Sequence, residues 1–251
     1  MSHAHEHQDA TPKALSATGK WGMVIDQDLC TGCQACVAAC AMENNLSFIG
    51  EDDVAYGRSM QWIHTERFWT GQYPAVSTNF QPILCQQCGN APCETTCPVY
   101  ASVHSDSEQI NAQIYNRCVG TRYCANNCPY QVRVFNWRDY SRPVPLNNQL
   151  NPEVTVRRRG IMEKCTFCIQ RIRRAEETAY TEGRQIQDGE VEPACVQACP
   201  AYAIVFGRLD DPNSRVSNLA SQGRAIRLLE ELDTQPKVVY LTGDSKHGHN
   251  G

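Results

Sequence analysis

The sequence predicts an α+β chain made of two intertwined, loop-rich modules, each organised around a pair of cysteine ladders. Three observations carry this expectation: the number of cysteines, their grouping into four ladders, and the short strand-like runs that flank the ladders. There are fifteen cysteines in 251 residues, far more than core packing requires, so they are read as disulfides or metal ligands. A chain of this length can bury a real core, as one large domain or two small ones. The formal charge of -4, with no polybasic tail, leaves no footprint for nucleic acid.

Residues 1–20, "MSHAHEHQDATPKALSATGK", hold no apolar stretch and no twin arginine, so they read as a solvated tail rather than a targeting signal. His3, His5 and His7 belong to that tail, and metal binding by them is the weaker reading. The longest apolar runs, such as "AYAIVF", fall far short of the roughly 20 residues a membrane helix needs.

The strand-like "MVIDQDLC" leads into the first ladder, Cys30, Cys33, Cys36 and Cys40. Trp62, Phe68, Trp69 and Tyr73 follow and are read as core packing or a subunit interface; His64 among them reads as a hydrogen-bonded structural residue. The second ladder is Cys85, Cys88, Cys93 and Cys97, continued by "CPVYASV"; "QIYNRC" then opens the third, which has only Cys118, Cys124 and Cys128. "SRPVPLNNQLNPEV", with three prolines, reads as an extended loop and docking surface. The fourth ladder is split, Cys165 and Cys168 before a long insertion and Cys195 and Cys199 after it, and closes on "CPAYAIV". Arg157, Arg158, Arg159, Lys164, Arg171, Arg173 and Arg174 stand against one acid, Glu163. They form either a solvated face or a set of cations that raise the potentials of anionic clusters. From residue 209 the chain predicts an appendage, with an amphipathic helix near residues 222–232 and a strand at 237–242.

Cysteines spaced C-x2-C-x2-C-x3-C, often before a proline, form the bacterial ferredoxin run, whose fourth cysteine ligates the other cluster of a pair. Pro98, Pro129 and Pro200 follow the last cysteine in three ladders. Strand, cluster loop, short helix and strand recur about four times, which gives two ferredoxin-like modules. A disulfide framework and structural zinc are the weaker readings, because overlapping triplets suit neither. The split ladder, last in the chain, most simply pairs with the first, over residues 21–84 and 160–208. The middle two pair over residues 85–140, with 141–159 as the linker. One 4Fe-4S cluster then takes Cys30, Cys33, Cys36 and Cys199; a second takes Cys40, Cys165, Cys168 and Cys195; a third takes Cys85, Cys88, Cys93 and Cys128. Cys97, Cys118 and Cys124 remain, and Thr121 stands where their fourth thiolate belongs. A hydroxyl does not ionise near neutral pH and replaces thiolate poorly, so a 3Fe-4S cluster is expected. A 4Fe-4S cluster with water or hydroxide on the odd iron is the alternative.

These ladders, the last one split, resemble the electron-transfer subunits of membrane-bound molybdopterin oxidoreductases such as polysulfide, dimethyl sulfoxide and nitrate reductases. "CTGCQACVAACAMENN", "CQQCGNAPCETTCPV", "YNRCVGTRYCANNCPYQVRVFNW" and "RGIMEKCTFCIQRI" are more closely similar to the iron–sulfur portion of alternative complex III, a bacterial quinol oxidoreductase. The resemblance covers about residues 20–217, and "CVGTRYC" is its most specific part. It implies three 4Fe-4S clusters and one 3Fe-4S cluster. It also implies an integral-membrane quinol-binding subunit, a molybdopterin-enzyme-like large subunit and c-type cytochrome subunits as partners. Membrane association through those partners is expected on the outer, periplasmic face, with the cytoplasmic face as the alternative. Many relatives carry the large domain on the same polypeptide, which leaves membership open between that complex and a related reductase. The sequence offers no nucleophile and base arrangement, phosphate loop or substrate pocket, so an electron carrier without catalytic residues of its own is expected. A substrate-binding labile iron at Thr121 and a free polyferredoxin are the rivals.

Overall fold

"WGMVID" is apolar at nearly every position, the pattern of a strand covered on both faces, and in the computed structural model it is the buried strand β1 (Trp21–Asp26). The structure describes residues 19–105 and 108–243; His3, His5 and His7 lie outside them. After β1 come α1 (Ala35–Glu43), α2 (Glu51–Ala55), β2 (Ile63–Gln72), β3 (Ala75–Leu84), α3 (Pro92–Thr95), β4 (Ser102–His104), β5 (Asn111–Gln113), α4 (Tyr123–Asn126) and β6 (Val134–Phe135). β7 (Met162–Glu163), α5 (Ile169–Thr181), α6 (Ala194–Gln197), β8 (Ile204–Arg208), α7 (Arg215–Ala220), β9 (Ala225–Ile226) and β10 (Val238–Leu241) complete the order.

Four strands form the main sheet in the order β8, β1, β10, β9. β8 runs antiparallel to β1, β10 runs parallel to it, and β9 is antiparallel to β10. The period of two sorts the side chains by face. Val24, Val239 and Leu241 gather with Val216 of α7 on one side, while Met23, Ile25, Val238 and Tyr240 join the larger core that holds the cysteines. Trp21 stacks on Phe206 at 5.2 Å, and Phe206 meets Phe167 edge-on at 5.2 Å. Each such fully buried side chain contributes about 1.5–3 kcal/mol from area removed from water.

Strand pairing ties the ladders together in space. β1 leads to the first ladder and pairs with β8, which leaves the fourth. β4 leaves the second ladder and pairs antiparallel with β5, which leads to the third. β6 follows the third and pairs with β7, which leads to Cys165.

α5 fills the insertion that splits the fourth ladder. It buries Ile172 and Ala179, seven residues apart on one face. Its end is a Schellman motif at Gly183 (φ 66°): Gly183 N donates to Tyr180 O at 3.1 Å and Arg184 N to Ala179 O at 3.0 Å.

The chain beyond residue 209 departs from expectation. The helix is α7, at Arg215–Ala220, and residues 222–232 are turns, the two-residue β9 and a 3-10 turn at Glu230–Leu232. Gly223 interrupts the periodic run, Leu229 and Asp233 adopt positive φ, and Ala225 and Ile226 are drawn into pairing with β10. The expected strand is β10, which lies between β1 and β9 inside the main sheet rather than against its outside. The proline-rich segment before residue 160 is pinned down. Asn45 donates to Asn151 O and Val154 O at 2.8 and 2.7 Å, and its side-chain oxygen accepts from Asn151 N.

The aromatics between the first two ladders divide. Trp62 is 1% exposed and donates its indole N–H to Glu163, whereas Phe68, Trp69 and Tyr73 are solvent-facing on the β2–β3 hairpin. His64 on β2 stands 3.5 Å from Glu66.

Candidate metal centres

The same backbone turn recurs in all four ladders. The residue two after the first cysteine has positive φ in each: Gly32 (69°), Gln87 (49°), Gly120 (75°) and Phe167 (56°). Two of the four are glycines, which take this conformation freely; the turn folds the chain back after the first cysteine. A short helix follows and carries a buried cysteine: Cys36 on α1, Cys93 on α3, Cys124 on α4 and Cys195 on α6. Past the prolines, Tyr100, Gln131 and Tyr202 again take positive φ, three residues after Cys97, Cys128 and Cys199.

None of the fifteen cysteines is in a disulfide. Backbone and side-chain donors aim at their sulfurs instead. Ala101 N reaches Cys97 Sγ at 3.1 Å, Ala203 N reaches Cys199 Sγ at 3.3 Å, and the amides of Phe167 and Met162 reach Cys165 and Cys118 at 3.4 Å. Asn44 Nδ2 lies 3.6 Å from Cys40 Sγ and 3.8 Å from Cys168 Sγ. Such donors favour the thiolate, the form that binds metal.

The shifts of the thiols carry the like charge of particular neighbours. Burial, then the like charge of Cys30, Cys199 and Cys33, pushes Cys36 up to about 11. Burial, then Cys165, Cys195 and Cys168, holds Cys40 well above its ordinary value. Burial, with Cys85, Cys93 and Cys128 adding, pushes Cys88 up to about 12. Burial raises Cys124 against the opposing charge of Arg133, with Cys93 and Cys118 adding to the rise. Cys97 goes the other way: burial opposes it, but the amides of Val99, Ala101 and Ser102 and the Arg133 charge hold it below the ordinary thiol range. Three further couplings cross between these groups, Cys36 with Cys195, Cys165 with Cys85, and Cys93 with Cys124.

A buried thiolate needs compensating positive charge, and clustered thiolates need it most. Among the described residues no three His, Cys, Asp or Glu converge as ligands of one metal ion do. All-sulfur donor sets of this breadth, with N–H groups aimed at the sulfurs, fit iron–sulfur clusters.

The basic run is neither a uniform solvated face nor a uniform cluster lining. Arg157 is buried in an ion pair with Glu163 at 2.7 Å, and buried Lys164 donates to Cys165 O at 3.0 Å and to Asn111 O. Arg171 grips Glu43 through two bonds of 2.9 and 2.7 Å, Arg173 meets Glu108 at 3.0 Å, and Arg174 pairs with Glu153. A cation bonded to a ladder cysteine's sulfur lies elsewhere. Arg133, 7% exposed, places Nη2 3.1 Å from Cys93 Sγ, 2.5 Å from Ser102 Oγ and 3.2 Å from Asn111 Oδ1, and Nη1 2.9 Å from Gln113 Oε1. Burial works to lower it, but Cys93, Cys124 and Cys85 outweigh burial and hold it above the ordinary arginine value. Set between Val132 and Val134 it alternates as a solvent-facing charge would, so no local sequence signal marks it.

A model for a 4Fe-4S dicluster domain matches residues 76–143, the second and third ladders, and a model for a 4Fe-4S binding domain matches residues 21–42, around the first. The iron–sulfur cluster-binding subunit of menaquinone reductase from Nitratidesulfovibrio vulgaris is 42% identical over 89% of this chain and 89% of its own length. The chain belongs to the family of 4Fe-4S iron–sulfur subunits of oxidoreductases. Other members include the iron–sulfur subunit of arsenate respiratory reductase from a Shewanella species, 33% identical over 88% of this chain and 95% of the relative. Iron–sulfur subunit 1 of the Hdr-like menaquinol oxidoreductase from Archaeoglobus fulgidus is 32% identical over 92% and 86%. In this iron–sulfur subunit no helix among the described residues is long and apolar enough to cross a membrane.

Proposed function

We propose that this iron–sulfur subunit carries electrons between a quinone site in an integral-membrane partner and a second redox partner, within a complex of the alternative complex III kind. The observation that carries the reading is the pairing of the strands that flank the ladders, β1 with β8, β4 with β5 and β6 with β7, beside which like charge couples Cys36 with Cys195, Cys165 with Cys85, and Cys93 with Cys124. In this reading the four cysteine groups stand in a row. When bound, iron–sulfur clusters supply one-electron carriers; the chain's residues set their order, spacing and charge.

In this reading the ligand sets are Cys30, Cys33, Cys36 and Cys199; Cys40, Cys165, Cys168 and Cys195; Cys85, Cys88, Cys93 and Cys128; and Cys97, Cys118 and Cys124. Three are 4Fe-4S and the last is 3Fe-4S. The pairing of first with fourth ladder and second with third, as two ferredoxin-like modules, is supported by the β1–β8 and β4–β5 pairings. The exposed loops at Cys33 and at Thr121 are taken in this reading as the two ends of the row. The partners in this reading are a quinol-binding membrane subunit, a molybdopterin-enzyme-like large subunit and c-type cytochromes, assembled on the periplasmic face. A second reading, the electron carrier of a molybdopterin-dependent reductase, is favoured by the likeness to the arsenate respiratory reductase subunit.

Purification of the complex from detergent extracts tests the proposal. A quinone-binding membrane subunit is expected to co-purify, with iron one short of four full cubes. A monomer that elutes alone would overturn it, and a molybdenum-containing partner without quinone reactivity would favour the second reading.

A further inference from the structure

Arg133 differs from Arg157, the other deeply buried arginine among the described residues. Arg157 lies against the carboxylate of Glu163, as a buried cation ordinarily must. Arg133 is buried to a similar degree, yet its partners are the amide oxygens of Gln113 and Asn111, the hydroxyl of Ser102 and the sulfur of Cys93. Among the described residues it has no carboxylate within ion-pair distance. Neutral oxygens satisfy a guanidinium's N–H groups but do not balance its charge, and an unbalanced charge in the interior costs several kcal/mol. The anions available to balance it are thiolates of two neighbouring cysteine groups, through Cys93 and Cys85 on one side and Cys124 on the other.

We propose that Arg133 is a positioning residue whose counter-ion is the pair of clusters on either side of it, and that it raises the reduction potentials of both. The proposal rests on the ligand sets given above. Its physical basis is that reduction adds one negative charge to a cluster, and a fixed cation in a low-dielectric interior favours the more negative state. The N–H···S bond to Cys93 acts in the same direction by withdrawing charge from the ligating sulfur. The effect is directional along the row. The cluster on Cys85, Cys88, Cys93 and Cys128 is touched directly and responds most. The cluster on Cys97, Cys118 and Cys124 responds less, through the Arg133 charge and its interaction with Cys124, and the two clusters at the other end respond least. The surrounding network fixes the guanidinium in place: Ser102 starts β4, Asn111 and Gln113 bound β5, and Asn111 is itself held by Glu94 and by Lys164. The antiparallel pairing of β4 and β5 therefore orients the charge.

The test is a redox titration of the purified complex, followed by electron paramagnetic resonance, on the parent protein and on Arg133→Gln, Arg133→Lys and Gln113→Glu. Arg133→Gln is expected to lower the midpoint of the cluster nearest Cys93 most, the cluster on Cys97 less, and the other two not measurably. Arg133→Lys, which keeps the charge, is expected to restore most of the fall. If Arg133→Gln does not assemble its clusters, Gln113→Glu decides: it leaves Arg133 in place and sets a carboxylate against Nη1, and the same two midpoints are expected to fall. Unchanged midpoints in Gln113→Glu, or equal shifts of all four clusters, would overturn the inference. Failure of the ligand assignment itself is separately visible, because the parent protein would then lack the expected spectra and iron content.

Discussion

Thr121 occupies in the third ladder the place that Cys33 occupies in the first. Each follows a glycine at positive φ, Gly120 at 75° and Gly32 at 69°, and each precedes a left-handed residue that starts a short helix, Arg122 at 63° and Gln34 at 60°. Both side chains lie in exposed loops. The backbone is thus prepared for a sulfur at residue 121, and what differs is the side chain alone.

Thr121→Cys is therefore expected to complete a fourth ligand without rebuilding the loop. The oxidised parent protein is expected to show the nearly isotropic paramagnetic signal of a 3Fe-4S cluster, and the variant to lose it while gaining iron. The signal persisting unchanged would mean that something other than the missing thiolate keeps the fourth iron out.

Cys40 and Cys199 are expected to serve the half-ladders opposite their own. Cys199→Ala should damage the cluster of Cys30, Cys33 and Cys36, and Cys40→Ala that of Cys165, Cys168 and Cys195. Spectra in which Cys40→Ala harms the cluster of Cys30 first would reverse the assignment.

Glu163→Ala is expected to destabilise the protein by about 3–5 kcal/mol, because it strands the buried Arg157 charge. Glu163 also accepts from the Trp62 indole at 3.2 Å and from Asn136. An anaerobic denaturant titration reads the loss; a shift below about 1 kcal/mol, typical of an exposed pair, would show that water reaches Arg157.

Lys237 supplies a pH dependence in a range gentle to iron–sulfur proteins. Burial, then repulsion from Lys20, pulls its amine from 10.5 down to about 8. Below pH 8 the amine is charged in both folded and unfolded chains, and the cost of burying that charge is fully present. Between pH 8 and 10.5 the unfolded chain binds the extra proton, so stability rises with pH across that window. The rise is expected to be absent from Lys237→Met, measured as the difference between the two stability curves. Parallel curves would show that the amine stays protonated through its bond to Gln109 O.

The ladders were legible because sulfur spacing is a local code. The run from Cys30 to Cys40 fits one loop and one turn of helix, and the missing rung at residue 121 is a comparison of the chain with itself. Strands flanking the ladders were visible for the same reason, as short apolar runs before and after cysteines. Arg133 was not legible, since nothing local says that a lone arginine in "QVRVFNW" finds its charge balance on a cysteine forty residues away. The basic run reads either as a solvated face or as cations beside the clusters, and neither reading foresees that Arg171, Arg173 and Arg174 are each matched to a distant acid, Glu43, Glu108 and Glu153. The stretch at 222–232 had helical spacing of leucines, and the pairing of β9 with β10 overrode it.

β1 is the first strand of the described chain to be synthesised, and its neighbour β10 is the last, with Met23 opposite Val238. The ladder that emerges first on the ribosome thus cannot be enclosed until almost everything else has been made. The second and third ladders, joined by the local β4–β5 pairing, close sooner because loop-closure entropy is smaller over short separations. The thiols of residues 30 to 40 are therefore expected to be the last enclosed during synthesis, which pulsed thiol labelling of stalled nascent chains would check.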